Sequence, residues 1–235
     1  MRDAQRFAVH HRRMIREFLS SVSFCLSATV AQACELALVL AVDVSGSVDS
    51  WEYRIQRDGL AEALRDSVVS EALVAAQAEV MLLQWTGAGR QRVTVPWRTI
   101  NSFDALDSFT VDVAADRRVW RNFSTAIGEA LEMSVAQFAA VPHCRRRVID
   151  VSGDGSSNEG IAPAAMRMRL KTEQVTVNAL VIEDAEEDLT GYFWENVIHG
   201  DGAFVVTAND FPDYPRRIRQ KLRRETTKQT AELRR

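Results

Sequence analysis

Histidine is scarce in this 235-residue chain, with four in all, and His10 and His11 lie close to the amino terminus. The body of the sequence keeps His143 and His199, each just ahead of a strand-like segment. A Ser–His–Asp arrangement needs an imidazole within hydrogen-bond reach of its serine. Histidines at the amino ends of strands sit away from serines at the carboxyl ends, which argues against such a triad. The G-x-S-x-G elbow, the P-loop and the G-x-G-x-x-G fingerprint are also missing. Five prolines and eleven glycines form no linker, and the chain has neither an internal repeat nor a low-complexity tract. No apolar run reaches the roughly 20 residues of a membrane span. What is present is an ordinary globular composition, 46% hydrophobic and 26% charged, with a length that suits one domain plus appendages.

From Met14 the chain reads as a secretory signal peptide. Arg16 supplies a charged start, Phe18 to Val30 an apolar centre, and Ala31 and Ala33 the small residues that precede cleavage. Cleavage is therefore expected between Ala33 and Cys34. A short core helix is the competing reading. Residues 1–13 form an extended basic lead-in, and translation from Met14 in place of Met1 would remove them. A lipoprotein signal would also put Cys34 first, but leucine is usual where Ala31 stands, so lipid attachment is not expected. The expected product is periplasmic or secreted.

Export changes the cysteine and charge arithmetic. Cys25 leaves with the signal, and the remaining pair, Cys34 and Cys144, is a disulfide candidate in an oxidising compartment. Removal of residues 1–33 takes the formal net charge from −3 to −6. The stretch 216–235 carries nine Lys or Arg against two Glu, so residues 34–215 hold about −13. Such an acidic body argues against general nucleic-acid binding. The basic stretch reads as a solvated helix end, with contact to an anionic surface as the alternative.

Apolar strand-like runs alternate with helical patterns. Leu36–Val42 and Glu79–Trp85 are continuous apolar runs, as strands covered on both faces show. Asp49 and Glu52 resemble a capping box opening a helix to about Val69. Arg92–Trp97 alternates and contains Pro96, which fits an edge strand. Further helices are expected at 101–109, 124–139, 163–171, 189–198 and 211–224, with strands at 147–152, 175–182 and 203–207. The pattern predicts an α/β fold: a doubly wound, mostly parallel sheet with helices on both faces and one antiparallel edge strand. In the strand order 3-2-1-4-5-6, ligands sit where the order reverses, beyond the carboxyl ends of the first and fourth strands.

Both of those strands run into polar, acidic turns, D43-V-S-G-S47 and S152-G-D-G-S-S-N158. Asp43, Ser45 and Ser47 come from the first turn and Asp154 from the second, while Thr125 opens a helix in T-A-I-G-E-A-L. All five are hard oxygen donors. They suit Mg²⁺, or Mn²⁺ or Ca²⁺, and not zinc.

These segments resemble the von Willebrand factor A domain and its metal-ion-dependent adhesion site. The D-x-S-x-S element is Asp43, Ser45 and Ser47; the threonine corresponds to Thr125 and the final aspartate to Asp154. The resemblance covers about residues 35–225. More closely, A-L-V-L-A-V-D-V-S-G-S-V-D, Q-R-D-G-L and C-R-R-R-V-I-D-V-S-G-D-G are similar to an uncharacterised family of exported bacterial proteins related to that domain. The resemblance implies a Rossmann-like fold and a cation site that holds an acidic group of a partner. Two departures stand out. Asn122, Phe123 and Ser124 occupy the place where glycine usually precedes the threonine, and Gly153 replaces the usual Ser or Thr before Asp154.

Cys34 lies nine residues before Asp43 and Cys144 ten before Asp154. On parallel neighbouring strands the two cysteines come close enough to bond. Asp150, inside a strand, calls for a partner, expected to be an Arg or backbone donors. Trp120 and Phe123 flank Thr125 as a candidate partner rim, or as packed core.

The expectation is a signal segment over 1–33, one domain over 34–225 and a polar basic tail over 226–235. The domain binds a divalent cation and, through it, a protein ligand with an exposed carboxylate, without catalysis. A periplasmic structural domain with a stabilising or degenerate metal site is the alternative, and a metal-assisted hydrolase the more distant one.

Overall fold

The structure is a computed structural model that describes residues 34–184 and 188–232, with side chains to residue 226. The expected signal segment lies outside the described residues. Among the described residues, six strands form one sheet in the order β3-β2-β1-β4-β5-β6. They are β1 (Leu36–Asp43), β2 (Ala78–Trp85), β3 (Gln91–Ile100), β4 (Arg146–Gly153), β5 (Val175–Ile182) and β6 (Val205–Ala208). All pairings are parallel except that of β2 with β3. This is the doubly wound order and the single antiparallel edge that the sequence predicts.

Every residue of β1 is buried. Leu36, Leu38, Leu40 and Val42 face one core, and Ala37, Val39 and Ala41 the other. The period-two alternation of a strand divides an unbroken apolar run between two faces. On the first face lie α1 (Ser50–Leu64), α2 (Ser67–Ala75), α3 (Phe103–Ala115) and α7 (Tyr214–Glu232); on the second, α4 (Ile127–Gln137), α5 (Arg167–Thr172) and α6 (Leu189–Asn196).

Local chemistry sets the element ends. Asp49 accepts from the backbone N–H groups of Trp51 and Glu52, and Glu52 accepts in return from that of Asp49, so the capping box at the start of α1 is complete. The single helix expected to Val69 is instead two. Asp66 caps a new helix by accepting from Val68 N–H, and a side chain that offers the backbone an alternative partner breaks the run. Pro96 and Trp97 fall in a register shift of the β2–β3 pairing, where a residue without an N–H does least harm. Helix α7 runs on to Glu232, through the stretch read as a tail from 226.

At the amino ends of β1 and β4, where Leu36 pairs with Arg146, Cys34 and Cys144 form a disulfide with a Cα–Cα distance of 4.5 Å. The bond closes a loop across a sequence separation of 110. In the chain-entropy argument such a loop is worth on the order of 4–5 kcal/mol.

The fourth strand carries a buried ionic group. Lys221 of α7 is fully buried and pairs with Asp150 of β4 and, at 3.0 Å, with Glu225. Glu225 also accepts from Asn178 Nδ2 at 2.8 Å. The partner of Asp150 is thus a lysine from the last helix and not an arginine. The basic stretch is correspondingly not solvated throughout, because Lys221 faces the sheet. Burial and the adjacent Glu225 push Asp150 up to about 7 against the pull of Lys221. Burial alone would lower Lys221, but its two carboxylates outweigh it and hold the ammonium charged. Two buried carboxylates against one cation leave one negative charge uncompensated unless a proton is shared.

Candidate metal centre

Beyond the carboxyl end of the sheet, β1 lies between β2 and β4 and the strand order reverses. Asp43 is the last residue of β1 and is completely buried. Its Oδ1 accepts from the backbone N–H of Ser45 at 2.7 Å, which folds the loop back over the strand end. Its Oδ2 is buried and has no hydrogen-bond partner. Ser45 Oγ and Ser47 Oγ are 3.2 Å apart, and Ser47 Oγ donates to Asp154 Oδ1 at 2.7 Å. One hydrogen-bonded line therefore joins the turn after β1 to the turn after β4.

Burial raises the Asp43 carboxyl well above its ordinary range, and the charge of Asp154 raises it further. Asp154 is raised mainly by burial, with Asp184 contributing in the same sense and its hydrogen bond from Ser47 opposing. Two like charges that repel each other in a dry place gain from a cation between them.

Thr125 reaches the site by a different route. Gly46 N–H donates to the carbonyl of Phe123 at 2.7 Å, pinning the segment before Thr125 onto the serine loop. Asn158 holds Thr125 from the other side: its Oδ1 accepts from Thr125 N–H at 2.9 Å and its own N–H donates to the Thr125 carbonyl at 2.9 Å. Ser157 Oγ donates to the same carbonyl at 3.3 Å. Thr86 Oγ1 donates to the Ser124 carbonyl at 2.9 Å, tying in the loop after β2. The structure thus links Asp43, Ser45, Ser47 and Asp154 by hydrogen bonds or direct electrostatic contact, and Thr125 to them through backbone contacts.

Both sequence departures have a local explanation. Asn122 takes the left-handed conformation, φ +58°, which asparagine tolerates better than most residues. It does the work of the usual glycine. A Cβ on Gly153 would stand 3.3 Å from Asp43 Oδ2 and 3.5 Å from the rings of Phe193 and Trp85. A serine or threonine there would crowd the free carboxylate oxygen, so glycine leaves that oxygen clear.

Sequence reasoning missed Arg118. Its guanidinium donates to the carbonyls of Val44 and Ser45 at 3.1 and 2.7 Å, and its charge acts favourably on Asp43, Asp49 and Glu52. Nothing in its neighbourhood in sequence marks it, since D-R-R-V-W reads as an ordinary charged loop. Asn158 and Ser157 were visible as part of D-G-x-S-N, but not their hold on Thr125. Of the expected aromatic rim, Trp120 is half-buried and packs on the core below. Phe123 is partly exposed with the Arg90 guanidinium 4.0 Å above its ring. Trp51, beside Asp49, is the more exposed aromatic, at 52%.

The donor set fits a hard divalent cation. It offers an orphaned buried carboxylate oxygen, a second carboxylate beside it and two hydroxyls, with no sulfur or imidazole. The two histidines among the described residues lie elsewhere: His143 precedes β4, and His199 bridges to Val177 near the start of β5.

Solved structures share this architecture. PTMP1 from the mussel byssus with a zinc-occupied MIDAS motif aligns with TM-score 0.63 at 12% identity, over 83% of this chain and 46% of that one. The von Willebrand factor type A protein from Catenulispora acidiphila gives 0.59 at 19% identity, over 84% and 43%. The pilus adhesin SpaC from Lactobacillus rhamnosus GG, in its open conformation, gives 0.57 at 14% identity, over 83% and 30%. The chain spans less than half the length of each of these proteins. At such identities the likeness establishes the fold alone, that of a von Willebrand factor A-like domain. No curated protein matches the chain in sequence. Over residues 33–230 it matches the family described as "Protein of unknown function (DUF1194)", and the chain belongs to that family, whose member here has a von Willebrand factor A-like fold.

Proposed function

We propose that this protein is an exported binding module in which Asp43, Ser45, Ser47, Thr125 and Asp154 hold a divalent cation, Mg²⁺ or else Mn²⁺ or Ca²⁺. Through that cation it captures an acidic group on another protein. The observation that carries the reading is the buried, unpartnered Oδ2 of Asp43 beside the Asp154 carboxylate. An unpaired carboxylate oxygen costs several kcal/mol to bury, and a cation is what offsets that cost.

Each residue has a part. Asp43 and Asp154 supply charge, and the hydroxyls of Ser45 and Ser47 supply neutral oxygens held in line by their mutual hydrogen bonds. Asn158 fixes Thr125, and Arg118 clamps the loop carbonyls so that the serines do not wander. A hard cation bound here supplies an open coordination position for an outside carboxylate. The partly exposed Phe123, whose carbonyl is held by Gly46 of the serine loop, offers apolar ground beside it.

In this reading the role is binding without chemistry: among the described residues no imidazole approaches the serines. Export is supported by the signal-like segment before Cys34 and by the disulfide. Among the described residues, no helix is long and apolar enough to cross a membrane.

The test is capture from cell-envelope extract by the immobilised protein, with Mg²⁺ and with chelator. Cation-dependent capture that Thr125→Ala abolishes, with melting temperature little changed, supports the reading. If chelator lowers the melting temperature and nothing is captured in either condition, the cation has a structural role only.

A further inference from the structure

At the opposite pole of the sheet, three neighbouring strands begin close together, and each brings a metal-ligating side chain. Cys34 precedes β1, His143 and Cys144 precede β4, and Glu79 is the second residue of β2. The sulfurs of the two cysteines and a ring nitrogen of His143 lie within 4.8 Å of one another. Nε2 of His143 stands 3.8 Å from Oε1 of Glu79. That oxygen is itself held by Thr99 Oγ1 at 2.7 Å. The cysteines are buried, whereas the His143 side chain is 58% exposed.

While the sulfurs are bonded to each other they are not thiolates, and this group cannot act as a soft ligand set. Reduction changes that. A dithiol reductant delivers two electrons and two protons, becomes a disulfide itself and leaves Cys34 and Cys144 as thiols. Metal binding then releases their two protons. Zinc–sulfur bonds of about 2.3 Å at tetrahedral angles place two sulfurs roughly 3.8 Å apart, with nitrogen at about 2.0–2.1 Å from the metal. A cluster of this size reaches those distances with small side-chain movements. At 3.8 Å Glu79 makes no hydrogen bond to His143 in the disulfide form, and a small turn of the exposed imidazole brings it into the place of the outer carboxylate that orients a ligating imidazole.

We propose that Cys34, Cys144 and His143 form a latent zinc site, shut while the disulfide is intact and opened by a dithiol reductant. Glu79 orients His143, and the fourth coordination position opens past the exposed imidazole. The site is independent of the oxygen-only site at the other pole, and its softer donors select a different metal.

Cobalt(II) is a suitable probe, because sulfur-to-cobalt charge-transfer absorption arises only when thiolate binds, and metal at an oxygen site is silent in that band. The reduced protein is expected to develop the band with one equivalent of Co²⁺, lose it on addition of Zn²⁺, and show none of it in the disulfide form. Glu79→Gln is expected to weaken binding about 10–100-fold, and His143→Ala by about tenfold or more. Far-UV circular dichroism follows the fold of the reduced protein, which Zn²⁺ should preserve or restore. Absence of the band in reduced protein, His143→Ala binding as tightly as the parent, or a reduced chain that unfolds and is not restored by Zn²⁺ would each overturn the proposal.

Discussion

Ser47 donates to Asp154 across 107 positions of sequence, Oγ to Oδ1 at 2.7 Å. This bond spans the point where the sheet reverses its order and binds the two halves of the candidate site together. Ser47→Ala removes both the bond and one oxygen donor. The expected result is cation affinity lowered by about 10–100-fold, with a stability loss of only about 1 kcal/mol, measured by calorimetry and by urea denaturation. Unchanged affinity would remove Ser47 from the site.

Asn158 acts on the cation at one remove, by gripping the backbone of Thr125 at both its N–H and its carbonyl. Asn158→Ala is expected to weaken partner capture while the affinity of the aspartate pair for Mn²⁺ falls less. A parallel loss of both would mean that Asn158 merely supports the loop.

The disulfide fastens the first strand to the fourth. Cys34→Ser together with Cys144→Ser should lower the unfolding free energy by about 2–5 kcal/mol, measured by urea denaturation of both proteins without reductant. A loss below about 1 kcal/mol would mean that the sheet alone sets the strand pairing.

The buried group on α7 makes stability depend on pH. Asp150 is pushed up to about 7 by burial and by Glu225, against about 3.9 in an unfolded chain. The folded state therefore holds this proton more tightly. Its contribution is complete below about pH 4 and is lost as pH rises through about 7. Asp43 and Asp154 are raised in the same sense, so the comparison of parent with Asp150→Asn isolates Asp150. The urea midpoint of the parent should fall more steeply between pH 4 and 7 than that of the variant. Lys221→Met, which leaves two buried carboxylates facing each other, should cost about 3–5 kcal/mol at pH 8 and less at pH 5. Equal slopes in parent and Asp150→Asn would contradict the assignment.

What the sequence made legible follows from burial. A central parallel strand is dry on both faces, so Leu36–Val42 stands out as an unbroken apolar run. The polar turn that follows must then lie at a strand end. The same logic locates Asp154, and the matched offsets of Cys34 and Cys144 from the two aspartates gave the disulfide its register. What was not legible depends on partners distant in sequence. Lys221 lies in a basic helix, and only its orientation toward Asp150, 71 residues earlier, distinguishes it from solvated neighbours. Arg118 reads as one of several loop arginines until its contacts with Val44 and Ser45 are seen. The break between α1 and α2 was missed because Asp66 can sit on a helix surface as well as cap one. Trp120 stayed open between rim and core because an aromatic in a loop gives no sign of which way it turns, and the structure packs it on the core.

The proposed function requires the aspartates at the sheet's switch point to hold a hard cation. Titration calorimetry of the purified protein with Mn²⁺ and with Mg²⁺, alongside Asp43→Ala, tests this most directly. The expected result is a single binding site in the parent that is absent in Asp43→Ala, while circular dichroism shows the variant folded. A parent that takes up neither ion, or a variant that binds as the parent does, would contradict it.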